Sequence, residues 1–386
     1  MKLLWFTWKD LQHPLAGGAE VVNEQLAKRL AAAGHEVTLV VGGFAGGERE
    51  QAINGYRVIR LGNRYTLYYH AWRYYRRHLR TWPDLVIDEI NTLPFFAKFY
   101  VAQPNLLFVH MLCRQIWFYQ LPPPLSLIGY LSEPIYLRLL NDRRVITISP
   151  STQQDLERHG FKSANITLIS EGIELEPLAN PDQISKYPQP TLLALGSLRP
   201  MKRTLHQVEA FELAKQTLPG LKLKVAGDAS GAYGQRVLRR IARSPYAADI
   251  EYLGHITQAQ KIELLQRCHL ILVTSVKEGW GLIVTEAASQ GTPAAVYPVD
   301  GLRDSVIHQQ TGLISPDCTP QSLSTAVVTL LSDPPTYQTM RRAAWEHSRT
   351  ITFERSYREF VPALQATLDT TSTSQASPPA EPPELS

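Results

Sequence analysis

Apolar residues fall in short blocks that alternate with segments of helical period along most of the chain. Residues 2–8 (KLLWFTW) form the first block. A Gly-rich turn follows at 13–20 (HPLAGGAE), and 21–34 (VVNEQLAKRLAAAG) then has apolar positions at helical spacing, with Gly34 as its stop. Further strand-like blocks are HEVTLVVGG, YRVIRL, DLVIDEI, NLLFVHML and RRVITIS, with helical stretches between several of them. Strands that alternate with helices pair in parallel through right-handed crossovers, so this half predicts a doubly wound α/β sheet. The alternation restarts after the polar, Pro-rich stretch NPDQISKYPQP, with TLLALGS, LKLKVAGD, IEYLGHI, HLILVTS and TPAAVYP. The pattern predicts a domain over 1–175, a linker over 176–190, a second domain over 191–340, and helices over 341–368 that can return to the first domain. From residue 369 onward, 11 of 18 residues are Pro, Ser or Thr, a composition expected to be disordered.

Length and composition narrow the class. The 386 residues are 44% hydrophobic and 19% charged, which suits two folded domains and excludes a collagen-like or wholly disordered protein. Cys113, Cys268 and Cys318 are far apart and odd in number, which speaks against a disulfide scaffold and points to a reducing, cytoplasmic setting. The opening apolar run is too short for a signal-peptide core. The longest uncharged stretch, 115–132, is interrupted by Pro122, Pro123 and Pro124, making it a poor membrane span. The net charge of +4 resides wholly in residues 1–175, where 19 Lys and Arg face 15 Asp and Glu.

Ligands of doubly wound sheets bind beyond the carboxyl ends of the strands, so motifs just after strands carry the chemistry. The run EGWGLIVTEAASQGTPAAV (278–296) follows HLILVTS. Gly279 and Gly281 keep that turn small, leaving amides at Gly281, Leu282 and Ile283 open to an anion. Glu278 projects into the cleft, and Glu286, one helical turn on, is placed to accept two ribose hydroxyls. A plain helix start with glutamates favouring the dipole is the bland alternative. After TLLAL comes GSLRPMKR (196–203), where Arg199 and Lys202 bring two cations near a helix start, suited to a diphosphate. Gly17 and Gly18 let backbone approach from the opposite domain. His110 closes its strand, where a histidine beside apolar residues reads from the sequence alone as a satisfied core residue.

The 278–296 run resembles the Glu-(x7)-Glu signature of the retaining GT-B glycosyltransferases, family 4 (the group 1 type), and the likeness extends over about residues 1–365. It implies two Rossmann-like domains facing a central cleft. It also implies that Glu278 contacts the donor sugar, Glu286 the ribose and the intervening amides the diphosphate. The 13–20 loop resembles the family's G-G-x-E loop, and His110 stands where the family often has histidine, which implies that it positions donor or acceptor rather than taking a proton. Two departures stand out. Ser197 occupies the place of the family arginine, leaving Arg199 as its candidate substitute, and Glu171 in SEGIEL replaces the usual asparagine.

The resulting expectation is a retaining hexosyl- or glycosyltransferase moving sugar from a UDP- or GDP-sugar to a glycan or lipid-linked acceptor. A GT-B nucleotide-sugar epimerase or an inactive sugar-nucleotide-binding protein is the alternative. Catalysis falls to His110, Lys202 and Glu278. Donor binding falls to Gly17, Gly18, Arg199, Lys202, Glu278, Gly281, Leu282, Ile283 and Glu286. No metal and no separate cofactor is expected, because there is no Asp-x-Asp and GGFAGG does not fall as G-x-G-x-x-G. No nucleic-acid partner is expected either. Residues 64–80 hold five arginines and no acid; as a helix they place Tyr68, Trp72, Tyr75, Leu79 and Trp82 in one stripe flanked by Arg73, Arg76, Arg77 and Arg80. That face is expected to dock on an anionic membrane at its inner surface.

Overall fold

Runs of Leu, Val and Ile too uniformly apolar to face water on either side become the central strands of two parallel sheets. The computed structural model describes residues 1–375. Its first sheet contains β1 (Lys2–Phe6), β2 (Glu36–Gly42), β3 (Glu50–Ile53), β4 (Tyr56–Leu61), β5 (Leu85–Ile90), β6 (Asn105–Val109), β7 (Val145–Thr147) and β8 (Ile166–Leu168). Their order is β3-β4-β2-β1-β5-β6-β7-β8, parallel throughout except for β3, which runs antiparallel to β4. The second sheet contains β9 (Thr191–Leu195), β10 (Lys222–Ala226), β11 (Ile250–Gly254), β12 (Leu270–Val273), β13 (Ala294–Val296) and β14 (Gly312–Ile314). It is parallel in the order β11-β10-β9-β12-β13-β14. The order reverses between β1 and β5 in one sheet and between β9 and β12 in the other. Crevices open at those two points.

Alternation of side chains fixes what each face of the first sheet packs against. Leu3, Trp5, Ile87, Leu106 and Phe108 point toward helices Gly18–Ala32 and Phe353–Gln375, where the Trp5 ring stacks on Phe360 at 5.8 Å. Leu4, Phe6 and Val86 point the other way onto the segment of Leu67–Tyr74 and Tyr75–Leu79. On that same face Leu107, Val109 and Val145 meet helix Leu125–Leu140. The aromatic stripe over 64–82 therefore faces the sheet, with Tyr75 and Leu79 buried and Tyr68, Trp72 and Trp82 partly so. The stripe's aromatic rings thus pack on the sheet, as a crossover helix requires, and the flanking arginines are what stays exposed. Hydrophobic area is worth most against the sheet, while Arg73, Arg76, Arg77 and Arg80 are exposed, as are Tyr65, Tyr69 and His78.

The C-terminal region divides differently from the expected 341–368 block. Pro334–Ser348 is one continuous helix that stays with the second domain, where Arg341 donates to the carbonyl of Gly291 at 3.1 Å. Only Phe353–Gln375 crosses back, and it carries helix into the first seven residues of the stretch expected to be disordered. The rest of that stretch, 376–386, lies outside the described residues. The chain thus passes between the domains twice, near 169–190 and near 349–352. The two passages touch where Ile173 forms a parallel bridge with Thr352. No helix among the described residues is long and apolar enough to cross a membrane.

Candidate active site

The loops after β9 and β12, at the second sheet's reversal point, are tied together by their backbones. Val276 N–H donates to the Met201 carbonyl at 2.8 Å, and the Thr274 hydroxyl to the Lys202 carbonyl at 2.8 Å. This holds Lys202 over the crevice, where its Nζ lies 2.5 Å from Glu278 Oε1. The same oxygen accepts from Ser275 Oγ at 2.5 Å. Below them the crevice is lined by Gly196, Lys202, Gln207, Ser275 and Ile283. Gly281, at φ +93°, starts helix Leu282–Ser289, and no side chain caps that start. A left-handed residue there leaves the first-turn amides of Leu282 and Ile283 without intrahelical acceptors. Two cationic or polar donors and an open helix start around one crevice suit a diphosphate.

Glu286 lies one turn into that helix and pairs with Lys261 at 2.7 Å. Burial pushes its carboxyl up while Lys261 pulls it back. Arg199 is exposed, and its charge helps lower the pKa of Lys9, an effect led by burial of the lysine itself. Lys9 belongs to the loop after β1. Arg199 is thus within electrostatic reach of the first domain.

The first domain contributes a more buried arrangement. Gly18 abuts Leu282, and a methyl group on it would fall 2.9 Å from Leu282 Cδ1. Its lack of a side chain lets the two domains meet at the helix start. Gly17 N–H is already engaged, donating to Glu20 Oε2 at 2.6 Å, while Lys9 pairs with the other Glu20 oxygen at 3.3 Å. His110 ends β6 with its carbonyl against Gly279, where a Cβ would sit 2.9 Å away. Its imidazole is buried, pushed down to about 3 by desolvation, and so neutral at neutral pH. His110 Nε2 lies 3.6 Å from Glu89 Oε1.

Glu89 escaped the sequence reading. It ends β5 beside the first sheet's reversal point and accepts from Trp5 Nε1 at 2.9 Å, Asn23 Nδ2 at 2.7 Å and Asn91 Nδ2 at 2.8 Å. Full burial pushes its carboxyl up to about 8. The signal was present, because two acids interrupt an otherwise apolar parallel strand at DLVIDEI. Its neighbour Asp88 points to the opposite face and accepts the amides of Phe95 and Ala97, a purely structural anchor. Lys9, Glu20, Lys261 and Ser275 were also missed. Glu171, the residue in place of asparagine, is buried, and desolvation pushes it up to about 8. A further interdomain contact joins Lys277 to Asp155 at 2.5 Å and to Asp300 at 2.8 Å.

Comparison with known proteins adds three findings. The model for glycosyl transferases group 1 matches residues 179–347, and that for glycosyltransferase family 4 matches 16–177. The glycogen synthase of Mycobacterium tuberculosis is 25% identical over 379 residues, covering 89% of each chain. Among solved structures, sucrose-phosphate synthase from Thermosynechococcus elongatus superposes with a TM-score of 0.74 at 20% identity, over 97% of this chain and 100% of that one. Anabaena HepE in complex with UDP-glucose gives 0.69 at 18% identity, over 97% and 100%.

Proposed function

Because the chain belongs to the group 1 glycosyl transferases and has their GT-B fold, we propose that it moves a sugar from a nucleotide-sugar donor to a glycan or lipid-linked acceptor with retention at the anomeric carbon. The observation that carries this reading is the Lys202–Glu278–Ser275 cluster at the second reversal point, beside the uncapped start of helix Leu282–Ser289. In the reaction, bond cleavage loads negative charge onto the departing diphosphate. Lys202, Arg199 and the amides of Leu282 and Ile283 meet that charge where it grows. Glu278 then exchanges its contact with Lys202 for the sugar hydroxyls, and Glu286 holds the ribose. The acceptor enters from the first domain, past His110 and Glu89. Burial holds His110 neutral and pushes Glu89 toward its neutral form, which suits them to positioning hydroxyls. The UDP-glucose held by HepE supports a uridine diphosphate sugar as donor.

The deciding experiment incubates the protein with labelled UDP-, GDP- and ADP-sugars and a pool of glycan and lipid-linked acceptors. Donor consumption that requires acceptor, with the anomeric configuration kept in the product, is expected. Epimerised sugar nucleotide released without acceptor, or binding with no turnover across the pool, overturns the reading.

The two glutamates separate kinetically. Glu286→Ala weakens binding of the free nucleoside diphosphate, because the ribose contact exists with or without sugar. Glu278→Ala spares that binding and lowers turnover of the nucleotide sugar. Calorimetry on the two variants checks this, and the reverse pattern exchanges the roles. Activity survives EDTA, since Lys202, Arg199 and two helix-start amides already surround the diphosphate position. A complete loss restored by magnesium refutes that arrangement.

Peripheral contact with an anionic membrane belongs to the same reading. Arg73, Arg76, Arg77 and Arg80 are all exposed on one face of the first domain.

A further inference from the structure

Helix Ala232–Ala242 of the second domain carries an arginine face that sugar transfer does not use. Arg236, Arg239, Arg240 and Arg243 recur at three- and four-residue spacing, and together with Leu205 they line a notch of about 320 Å³. Arg240 is matched, since its guanidinium forks onto both oxygens of Glu212, with Nη1 at 2.6 Å from Oε1. Arg236, Arg239 and Arg243 are exposed and form no ion pair among the described residues. The helix dipole accounts for basic residues at the C-terminal end, but not for Arg236 in the second turn nor for the hollow between the side chains. Like charges at these spacings destabilise a helix, so an anion that joins them is bound with a gain.

We propose that this notch is an effector site for a small molecule bearing two phosphates on a compact carbon frame, such as a sugar bisphosphate. Spacing and charge set that class. Arg236 and Arg243 are about 10 Å apart along the helix axis, so forks at the two ends of the notch serve two anionic groups better than one. Two carboxylates leave one of the three free guanidiniums unmet. Two phosphates, each carrying about −1.5 to −2 charges, satisfy all three through bidentate contacts. The arginine stems and Leu205 give the walls an apolar lining for the carbon frame.

Leu205 joins the notch to the crevice. It lies in the first turn of helix Thr204–Thr217, three residues after Lys202, and its N–H donates to the Tyr233 hydroxyl at 3.1 Å. Tyr233 stands one turn before Arg236 on the arginine helix. Burial pushes its hydroxyl up, while the Leu205 amide, Arg236 and Arg203 pull it back, so the charge of the notch and that of the residue after Lys202 both reach it. Arg203 holds a left-handed φ of 51° and keeps Nη1 buried without a partner, a strained link between the lysine and the helix. An anion that draws Arg236, Arg239 and Arg243 together over Leu205 therefore bears on the turn that positions Lys202. That use rests on the reading of Lys202 as the leaving-group lysine; the binding itself does not.

The test is calorimetry on the full chain with fructose 1,6-bisphosphate, inorganic phosphate and UDP. Wild type is expected to bind the bisphosphate at least about tenfold more tightly than inorganic phosphate. Bound bisphosphate is expected to shift the affinity for UDP severalfold, a coupling that runs equally in both directions. The variant Arg236→Ser/Arg239→Ser/Arg243→Ser, whose sites are all exposed, is expected to keep the wild-type melting temperature and the affinity for UDP alone, and to lose both effects. A wild type that ignores the bisphosphate, or binds inorganic phosphate as well, overturns the inference. So does a UDP affinity that the bisphosphate leaves unchanged, or a shift that the triple variant retains, which places the bisphosphate in the donor crevice. The bisphosphate titration without UDP is independent of the donor, so failure there leaves the sugar-transfer reading intact. UDP that does not bind counts against that reading instead.

Discussion

Lys202→Ala lowers sugar transfer by roughly thirty- to several-hundred-fold without unfolding the protein. A charge-assisted hydrogen bond on a departing diphosphate is worth about 2–4 kcal/mol in the transition state, which converts to that range of rates. The fold tolerates the change, because the side chain is part-exposed and its ion pair sits at the rim of the crevice, where such pairs add little stability. Ser275 still holds Glu278 in the variant, so the sugar contact survives and the loss falls on turnover more than on donor affinity. Arg199→Ala should lose much of the rate as well, since no arginine occupies position 197 and Arg199 is the exposed cation two residues on. Rates measured on folded variants settle both. Full turnover without Lys202 removes it from the mechanism, and an unchanged rate in Arg199→Ala removes Arg199 as the substitute.

Glu133→Ala is expected to destabilise the fold by about 3–5 kcal/mol, a large share of the total for an ordinary domain. The carboxylate accepts from Cys113 N–H at 2.7 Å, Arg114 N–H at 2.6 Å and the Trp117 indole at 3.1 Å. Burial pushes the carboxyl up, while the two backbone amides pull it back toward the charged form. Alanine strands three donors at once, each costing on the order of 1–3 kcal/mol when left unmet. Glu133→Gln keeps the volume and one acceptor and should lose roughly half as much. Urea unfolding of the two variants measures this. A loss under about 1 kcal/mol for alanine means water replaces the carboxylate and the anchor is dispensable.

The long strands and the Glu278–Glu286 run were legible in sequence because their signals are local. An apolar block, a glycine turn and a helical period each lie within a dozen residues. β3 was missed although Asn54 and Gly55 adopt φ of 47° and 87°, the left-handed pair of a tight hairpin that the Asn-Gly dipeptide encodes. β8 and β14 are three residues long, too short for any periodicity to register. The outward leucines of Leu125–Leu140 defeat pattern reading for another reason. Hydrophobicity specifies that a face avoids water, but not whether it does so inside the protein. The contacts of Glu89 with Trp5 and Asn23 depend on chain segments brought together only by the sheet, so spacing along the sequence could not join them. The same holds for Lys261, which meets Glu286 from a separate helix.

The bridge between Ile173 and Thr352 has a mechanical consequence. A single connection would let one lobe swivel about the other in every direction. Two strands of chain fastened side by side suppress twisting and leave bending across the fastening as the soft motion, like a door on paired pins. Gly18 against Leu282 and Lys277 against Asp155 lie on the closing edge. Bending across the fastening would load both of these contacts at once.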